Sequence, residues 1–315
     1  MRELEQFPRV KLGVLPTPIH RLEGISEMLG TNVYVKRDDL TGLGLGGNKV
    51  RKLEFLLADA REKGAEVVFT TGGAQSNHAM LTAAAANKLG MKAILILKKR
   101  GVTERKGNVL LEHLLGTDVR FMDTDDYQDI YDEMDRVGQE LGVPYYKIPV
   151  GGSNSLGSLG YVSCVREIRD QGIRFDHILS AEGSGGTTAG LALGAKLYLP
   201  DTKVYGMMVD TEDFATITAD LMKGACELLE TDIEVTREDY TLRNMAVPGY
   251  VIPSQEGNAA VQIMAEKEGL FLDPVYTGKA FAGLIALARE GAFKKDDNVL
   301  FIHTGGAGGL FAIDM

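Results

Sequence analysis

The chain has 315 residues, 44% hydrophobic and 25% charged, a balance ordinary for a globular protein and a length that suggests two domains or one α/β barrel. A formal net charge of -10 with no long basic block argues against a nucleic-acid or anionic-membrane partner, although a local cradle of amides could still take a small anion. Cys164 and Cys226 stand far apart in no CxxC pair, so buried free thiols in a reducing compartment are expected. The start "MRELEQFPRVKLG" has no apolar signal core and no run approaches a membrane span, so a cytoplasmic location is expected.

In chain order, the first informative stretch is "TGLGLGGNKVRKLEF", residues 41–55, where four glycines precede Lys49. A helix is predicted to start there, with Asn48 as its N-cap and Leu53, Leu56, Leu57 and Ala60 on one apolar face. "EVVFTT" (66–71) reads as a strand, followed by the Ala-rich helix "NHAMLTAAAANKLG" and a second strand "MKAILIL". Lys98, Lys99 and Arg100 after it read as a solvated strand end. Further strands are predicted at "DVRFM", "YYKIPV", "HILSAE", "KVYGMMVD" and "NVLFIHT". Consecutive apolar residues mark strands buried on both faces, so the fold class is α/β with parallel sheets flanked by helices.

Four of these strands run into glycine turns: "TTGGAQSNH", "IPVGGSNS", "SAEGSGGTTAG" and "IHTGGAGG". One such turn is an ordinary strand-to-helix connection, whereas four together suggest a shared ligand crevice at the carboxyl ends of the strands. "GSGGTTAGLALGAKL" follows a strand and opens a helix, the place where amides and the helix dipole favour a phosphate. It fails the dinucleotide fingerprint, since Thr188 stands at the third glycine; Asp210 could still imitate the ribose-binding acid, so a nicotinamide-dependent oxidoreductase stays open. The 41–55 stretch fails as a P-loop, because Asn48 occupies the lysine position and Val50 follows Lys49. Lys49 falls in the first turn of a helix, where the dipole disfavours an ammonium and favours the neutral, nucleophilic amine. A solvated lysine is the plainer alternative.

Taken together, "PTPIHRLEGIS", "VKRDDLTGLGLGGNKVRKLEF", "GGAQSNH", "IPVGGSN", "GSGGTTAG", "LDPVYTGKAFAGL" and "FIHTGGAGGLF" resemble a known family over residues 16–311. It is that of the pyridoxal-phosphate enzymes of the tryptophan synthase β-subunit superfamily (fold type II). The branch resembled is that of D-cysteine desulfhydrases and 1-aminocyclopropane-1-carboxylate deaminases. The resemblance implies two domains, each an open, mostly parallel sheet: a large cofactor-binding domain of residues 1–49 plus 157–315, and a small one of 50–156. It implies pyridoxal 5′-phosphate as cofactor, a small amino acid as substrate, no metal, and a homodimer.

Site roles follow from the same resemblance. Lys49 is the lysine that bonds covalently to the cofactor, the glycine loop letting its amine reach both cofactor and substrate. Lys52 and the turn of Gly183, Ser184, Gly185, Gly186 and Thr187 are the phosphate cradle. Asn77 bonds the cofactor's 3′-oxygen, and Asn48, Thr277 and Thr304 complete the cofactor set. Ser76, Asn77 and His78 hold the substrate carboxylate, while Tyr250 and Tyr276 are the two active-site tyrosines; Lys49, Ser76, Tyr250 and Tyr276 are the catalytic candidates. A purely structural His78 and a merely packed Tyr are the plainer alternatives.

Thr277 is implied to face the pyridine nitrogen, where the deaminases are expected to carry a Glu, and Thr304 stands where they carry a Leu. A neutral hydroxyl gives a weaker electron sink than a carboxylate, which suits loss of a good β-leaving group over opening of a cyclopropane. The leading expectation is therefore D-cysteine desulfhydrase chemistry: D-cysteine to pyruvate, hydrogen sulfide and ammonia. L-cysteate sulfo-lyase, a D-serine or β-chloroalanine lyase, the deaminase and a non-catalytic cofactor-binding protein are the alternatives. Met80, where many bacterial members carry a basic residue, is a departure that weakens the sulfonate option.

Overall fold

The computed structural model describes residues 1–315. Ten strands form two separate sheets. The larger runs β1 (Ile19–Arg21), β2 (Asn32–Lys36), β10 (Asn298–Ile302), β7 (His177–Glu182), β8 (Lys203–Met208) and β9 (Thr241–Asn244) in spatial order, all parallel except β1 on β2. The smaller runs β5 (Asp118–Met122), β4 (Lys92–Lys98), β3 (Val67–Thr70) and β6 (Tyr145–Lys147), all parallel. β3 is buried at every position, as is all of β7, whereas β5 and β6, the edges of the smaller sheet, are only partly buried. β1, β2 and β9 were not expected from the sequence: β1 and β9 are short, largely exposed edge strands, and β2 alternates apolar with polar or aromatic residues, so none forms a continuous apolar run. The run "YYKIPV" pairs only to Lys147, plus one bond from Ile148 N–H to the Phe69 carbonyl (2.8 Å); Pro149 has no N–H with which to extend the ladder.

The helix Lys49–Glu62 lies between the two sheets. Its Val50, Leu53, Leu56, Leu57 and Ala60 pack in an apolar cluster with β3, β4 and the helix Asn77–Lys88, and Phe55 joins the core of the larger sheet. Val10, Leu12 and Leu43 also enter the smaller sheet's cluster, so the N-terminal segment buries apolar side chains against it. Cys164 and Cys226 are free and buried, and burial pushes the Cys164 thiol up to about 12, which leaves it inert. No helix is long and apolar enough to cross a membrane.

Candidate active site

The glycine turns at the carboxyl ends of β3, β6, β7 and β10 meet around one cavity. Asn48, Lys49, Ser76, Asn77, His78, Gly183, Ser184, Thr187, Tyr250, Tyr276 and Thr304 all line it. The loop before Lys49 needs its glycines. At Gly46, φ is +73° and a Cβ would fall 1.8 Å from the Asp39 carbonyl oxygen, so no side chain fits there.

Lys49 is the first residue of its helix, as predicted. Burial pushes its amine down to about 8, with the nearby Glu182 carboxylate opposing the shift. The shift raises the neutral fraction near neutral pH far above that of an ordinary lysine, which is what a nucleophilic or proton-abstracting amine requires. The N-cap expectation for Asn48 is corrected: its backbone is already helical and its side chain caps nothing. Its Nδ2 instead donates to Thr187 Oγ1 (3.1 Å), tying the lysine loop to the glycine turn after β7.

Ser76 caps the helix Asn77–Lys88, accepting the Ala79 N–H at 3.2 Å, and the first amides of that helix are left without intrahelical partners. Asn77 Oδ1 accepts from Asn108 Nδ2 (2.7 Å), which leaves the Asn77 amide nitrogen as the end free to donate. His78 shares a 2.8 Å hydrogen bond between Nε2 and Thr70 Oγ1. Burial, then the charges of Lys49 and Lys52, hold its pKa well below the usual value, so the ring is neutral. The Tyr250 and Tyr276 hydroxyls meet at 2.5 Å, their rings packed edge to face. Burial raises both phenols, Tyr276 well above the ordinary value with Tyr250 as the next cause, so both keep their protons.

Lys52, Gly185, Gly186 and Thr277 do not line the cavity. Lys52 Nζ lies just behind it, donating to Ser153 Oγ (3.0 Å) and the Gly151 carbonyl (3.2 Å). A Cβ on Gly186 would sit 2.7 Å from Ser153 Oγ and 2.9 Å from Lys52 Nζ, so only glycine leaves this approach open. Thr277 differs from expectation. Its hydroxyl donates to Asp273 Oδ1 (2.6 Å) and accepts the Asp273 N–H (2.7 Å), so it turns away from the cavity. Asp273 also accepts the N–H groups of Val275, Tyr276 and Thr277, making the "DPVYT" motif a helix-start clasp that aims Tyr276 inward. Met80 is likewise outside the cavity, buried in the apolar cluster with its sulfur 3.2 Å from where a Gly44 Cβ would lie.

The sequence reading did not anticipate Tyr127, Glu182 or Ser153 at the site. Tyr127 comes from the small-sheet helix Tyr127–Leu141, with no motif around it. The solvated strand end is corrected at Lys98, which is buried with its ammonium 3.4 Å over the Tyr127 ring; Lys99 and Arg100 are exposed as expected, Arg100 reaching Asp210 at 3.9 Å. Asp210 does line the cavity, at its rim beside Arg100, where it cannot serve as a ribose-binding acid for a fingerprint that Thr188 breaks.

The residues present fit a phosphate-bearing aldehyde cofactor. The Ser184 and Gly185 amides already hold an anionic oxygen, Glu182 Oε1, at 2.8 and 2.5 Å. Burial, then the charge of Lys49, push the Lys52 ammonium well below its ordinary pKa, a cost that a neighbouring anion relieves. The model for the family described as "Pyridoxal-phosphate dependent enzyme" matches residues 10–305. The chain belongs to that family. This pyridoxal-phosphate enzyme is 46% identical over 314 residues to a putative 1-aminocyclopropane-1-carboxylate deaminase of Pyrococcus horikoshii, covering 98% of this chain and 94% of the relative. It is 41% identical over 326 residues to a D-cysteine desulfhydrase of Serratia proteamaculans, covering 99% and 97%. Among solved structures it resembles an "ACC deaminase homologue" with a TM-score of 0.92 at 45% identity, over 98% of this chain and 94% of that one. The two-sheet α/β fold and the cofactor expected from sequence are thereby established, and the oxidoreductase alternative falls away.

Proposed function

We propose that the protein is a carbon–sulfur lyase that eliminates a thiol-type group from the β-carbon of a small amino acid, with D-cysteine as the first substrate to assay. The observation that carries this proposal is that each carboxylate at or beside the cavity already has a partner, with Glu182 Oε2 the one oxygen left over, on the side of the turn amides. Glu182 is bound to the turn amides, Asp210 lies beside Arg100, and Asp273 is closed off by its four hydrogen bonds. Thr304 offers only a hydroxyl. Without a carboxylate partner the pyridine nitrogen holds a proton less firmly, which suits expulsion of hydrosulfide more than ring opening.

Pyridoxal phosphate, when bound, supplies an electron sink conjugated with the substrate's amino group. Lys49 would hold it covalently, and Lys52 with the 183–187 turn would hold its phosphate. The helix-start amides at Asn77 and His78, with Ser76 beside them, orient the substrate carboxylate. The neutral Lys49 amine then takes the α-proton. The Tyr250–Tyr276 pair, protonated throughout the working pH range, donates hydrogen bonds to the substrate's far end and can hand a proton to the departing sulfur. We also propose a homodimer, resting on the family resemblance alone; a monomer mass in sedimentation equilibrium refutes it.

The test is a substrate panel on the purified holoenzyme: D-cysteine, L-cysteine, L-cysteate and 1-aminocyclopropane-1-carboxylate. Pyruvate with sulfide from D-cysteine supports the proposal. Turnover confined to the cyclopropane substrate, with 2-oxobutyrate as product, replaces it by the deaminase, the name carried by the Pyrococcus relative.

A further inference from the structure

Glu182 closes β7 and is 1% exposed, yet it belongs to neither a core nor a salt bridge. Its Oε1 accepts the N–H groups of Ser184 and Gly185, and its Oε2 is buried with no hydrogen-bond partner. It lines the cavity, and its charge acts on both Lys49 and Lys52. These amides begin the turn leading into the 13-residue helix Gly186–Tyr198, with the open Gly186 approach and Lys52 alongside. A cradle with the donors for a dianion is thus half filled by the protein's own monoanion.

We propose that the Glu182 carboxylate competes with the cofactor phosphate for the Ser184 and Gly185 amides and thereby limits how tightly the enzyme retains its cofactor. The proposal rests on the 183–187 turn being the phosphate cradle. Each N–H makes one strong bond at a time, and two anions a few ångströms apart in a water-poor site repel. Phosphate must therefore turn the carboxylate away or give up those two donors. Either outcome weakens retention relative to a turn without Glu182.

The test uses the full-length protein stripped of cofactor. Affinities for pyridoxal 5′-phosphate and for pyridoxal, which lacks the phosphate, are measured by equilibrium dialysis for wild type, Glu182→Ala and Glu182→Gln. Removing a competing charged acceptor is expected to tighten pyridoxal 5′-phosphate binding on the order of tenfold in Glu182→Ala. Pyridoxal binding, which feels Glu182 only through the Lys49 amine, changes much less, so the ratio of the two affinities is the readout. Glu182→Gln falls between, since its amide oxygen still accepts both N–H groups without a charge. Unchanged or weaker pyridoxal 5′-phosphate binding in Glu182→Ala, with pyridoxal little changed, overturns the competition. If both affinities drop together in Glu182→Ala, the isosteric Glu182→Gln decides, and binding no tighter than wild type overturns it. A wild type that does not distinguish the two ligands overturns the phosphate cradle itself, and the competition with it.

Discussion

Neutralising Asp38 probes the frame that holds Lys49 in place. Two residues beyond Lys49 on the same helix, Arg51 is fully buried. It forms a fork with Asp38 (Nε to Oδ2 and Nη2 to Oδ1, both 2.8 Å) and reaches Glu167 at 2.9 and 3.0 Å. Asp38 is also fully buried and accepts from Tyr161 (2.5 Å) and Thr17 (2.8 Å); Lys36 pairs with Glu167. Two cations thus face two carboxylates. Asp38→Asn leaves one buried positive charge uncompensated, and breaking such a pair costs about 3–5 kcal/mol. Replacing both partners with apolar residues, as in Asp38→Leu with Arg51→Met, removes the stranded charge and recovers much of that loss. Because the chain has no tryptophan, urea unfolding is best followed by far-ultraviolet circular dichroism. Burial opposes ionisation of Asp38, but Arg51, Tyr161 and Lys36 together hold its carboxyl below 3.8. Its stabilising share is thus complete above that value and lost as pH falls through the lower, folded one, and Asp38→Asn flattens this acid limb. A loss under 1 kcal/mol in Asp38→Asn, or a double variant no more stable than the worse single one, refutes the reasoning.

Lys49→Met should leave the fold intact and abolish borohydride-fixed attachment of the cofactor, read by mass spectrometry; a fixed adduct elsewhere would reassign the lysine. In the wild type the rate of that attachment should rise as pH passes upward through about 8, where the amine loses its proton. Tyr276→Phe removes one hydroxyl of the 2.5 Å pair and should lower kcat by about a hundredfold with a smaller change in KM; parallel kinetics with wild type would deny the pair a role in proton transfer. Glu112 is buried with both carboxylate oxygens unpartnered, and burial pushes its carboxyl up to about 8. An acid raised in the fold costs stability as pH rises from 4.5 to about 8, so Glu112→Met should stabilise by about 1–3 kcal/mol at pH 8 and less near pH 5. Equal gains at both pH values would show that the carboxyl does not titrate as its burial implies.

Local pattern carried the sequence far. Consecutive apolar residues identified the buried parallel strands, glycines after those strands located the crevice, and the helix beginning at Lys49 was legible from Leu53, Leu56, Leu57 and Ala60. Each of these signals depends on neighbours a few residues apart, through helix period, strand burial or backbone sterics. Only the tertiary structure decided which side chains meet. Asn48 bonds Thr187, 139 positions away, rather than capping its own helix. Thr277 turns its hydroxyl to Asp273, Met80 faces the apolar cluster, and Lys98 stacks on Tyr127 instead of reaching solvent. Glu182 read as the last residue of a strand, yet its carboxylate curls onto the turn amides that follow. Such choices depend on side-chain direction at chain ends and on which strands the sheet order brings together, and neither leaves a period in the sequence.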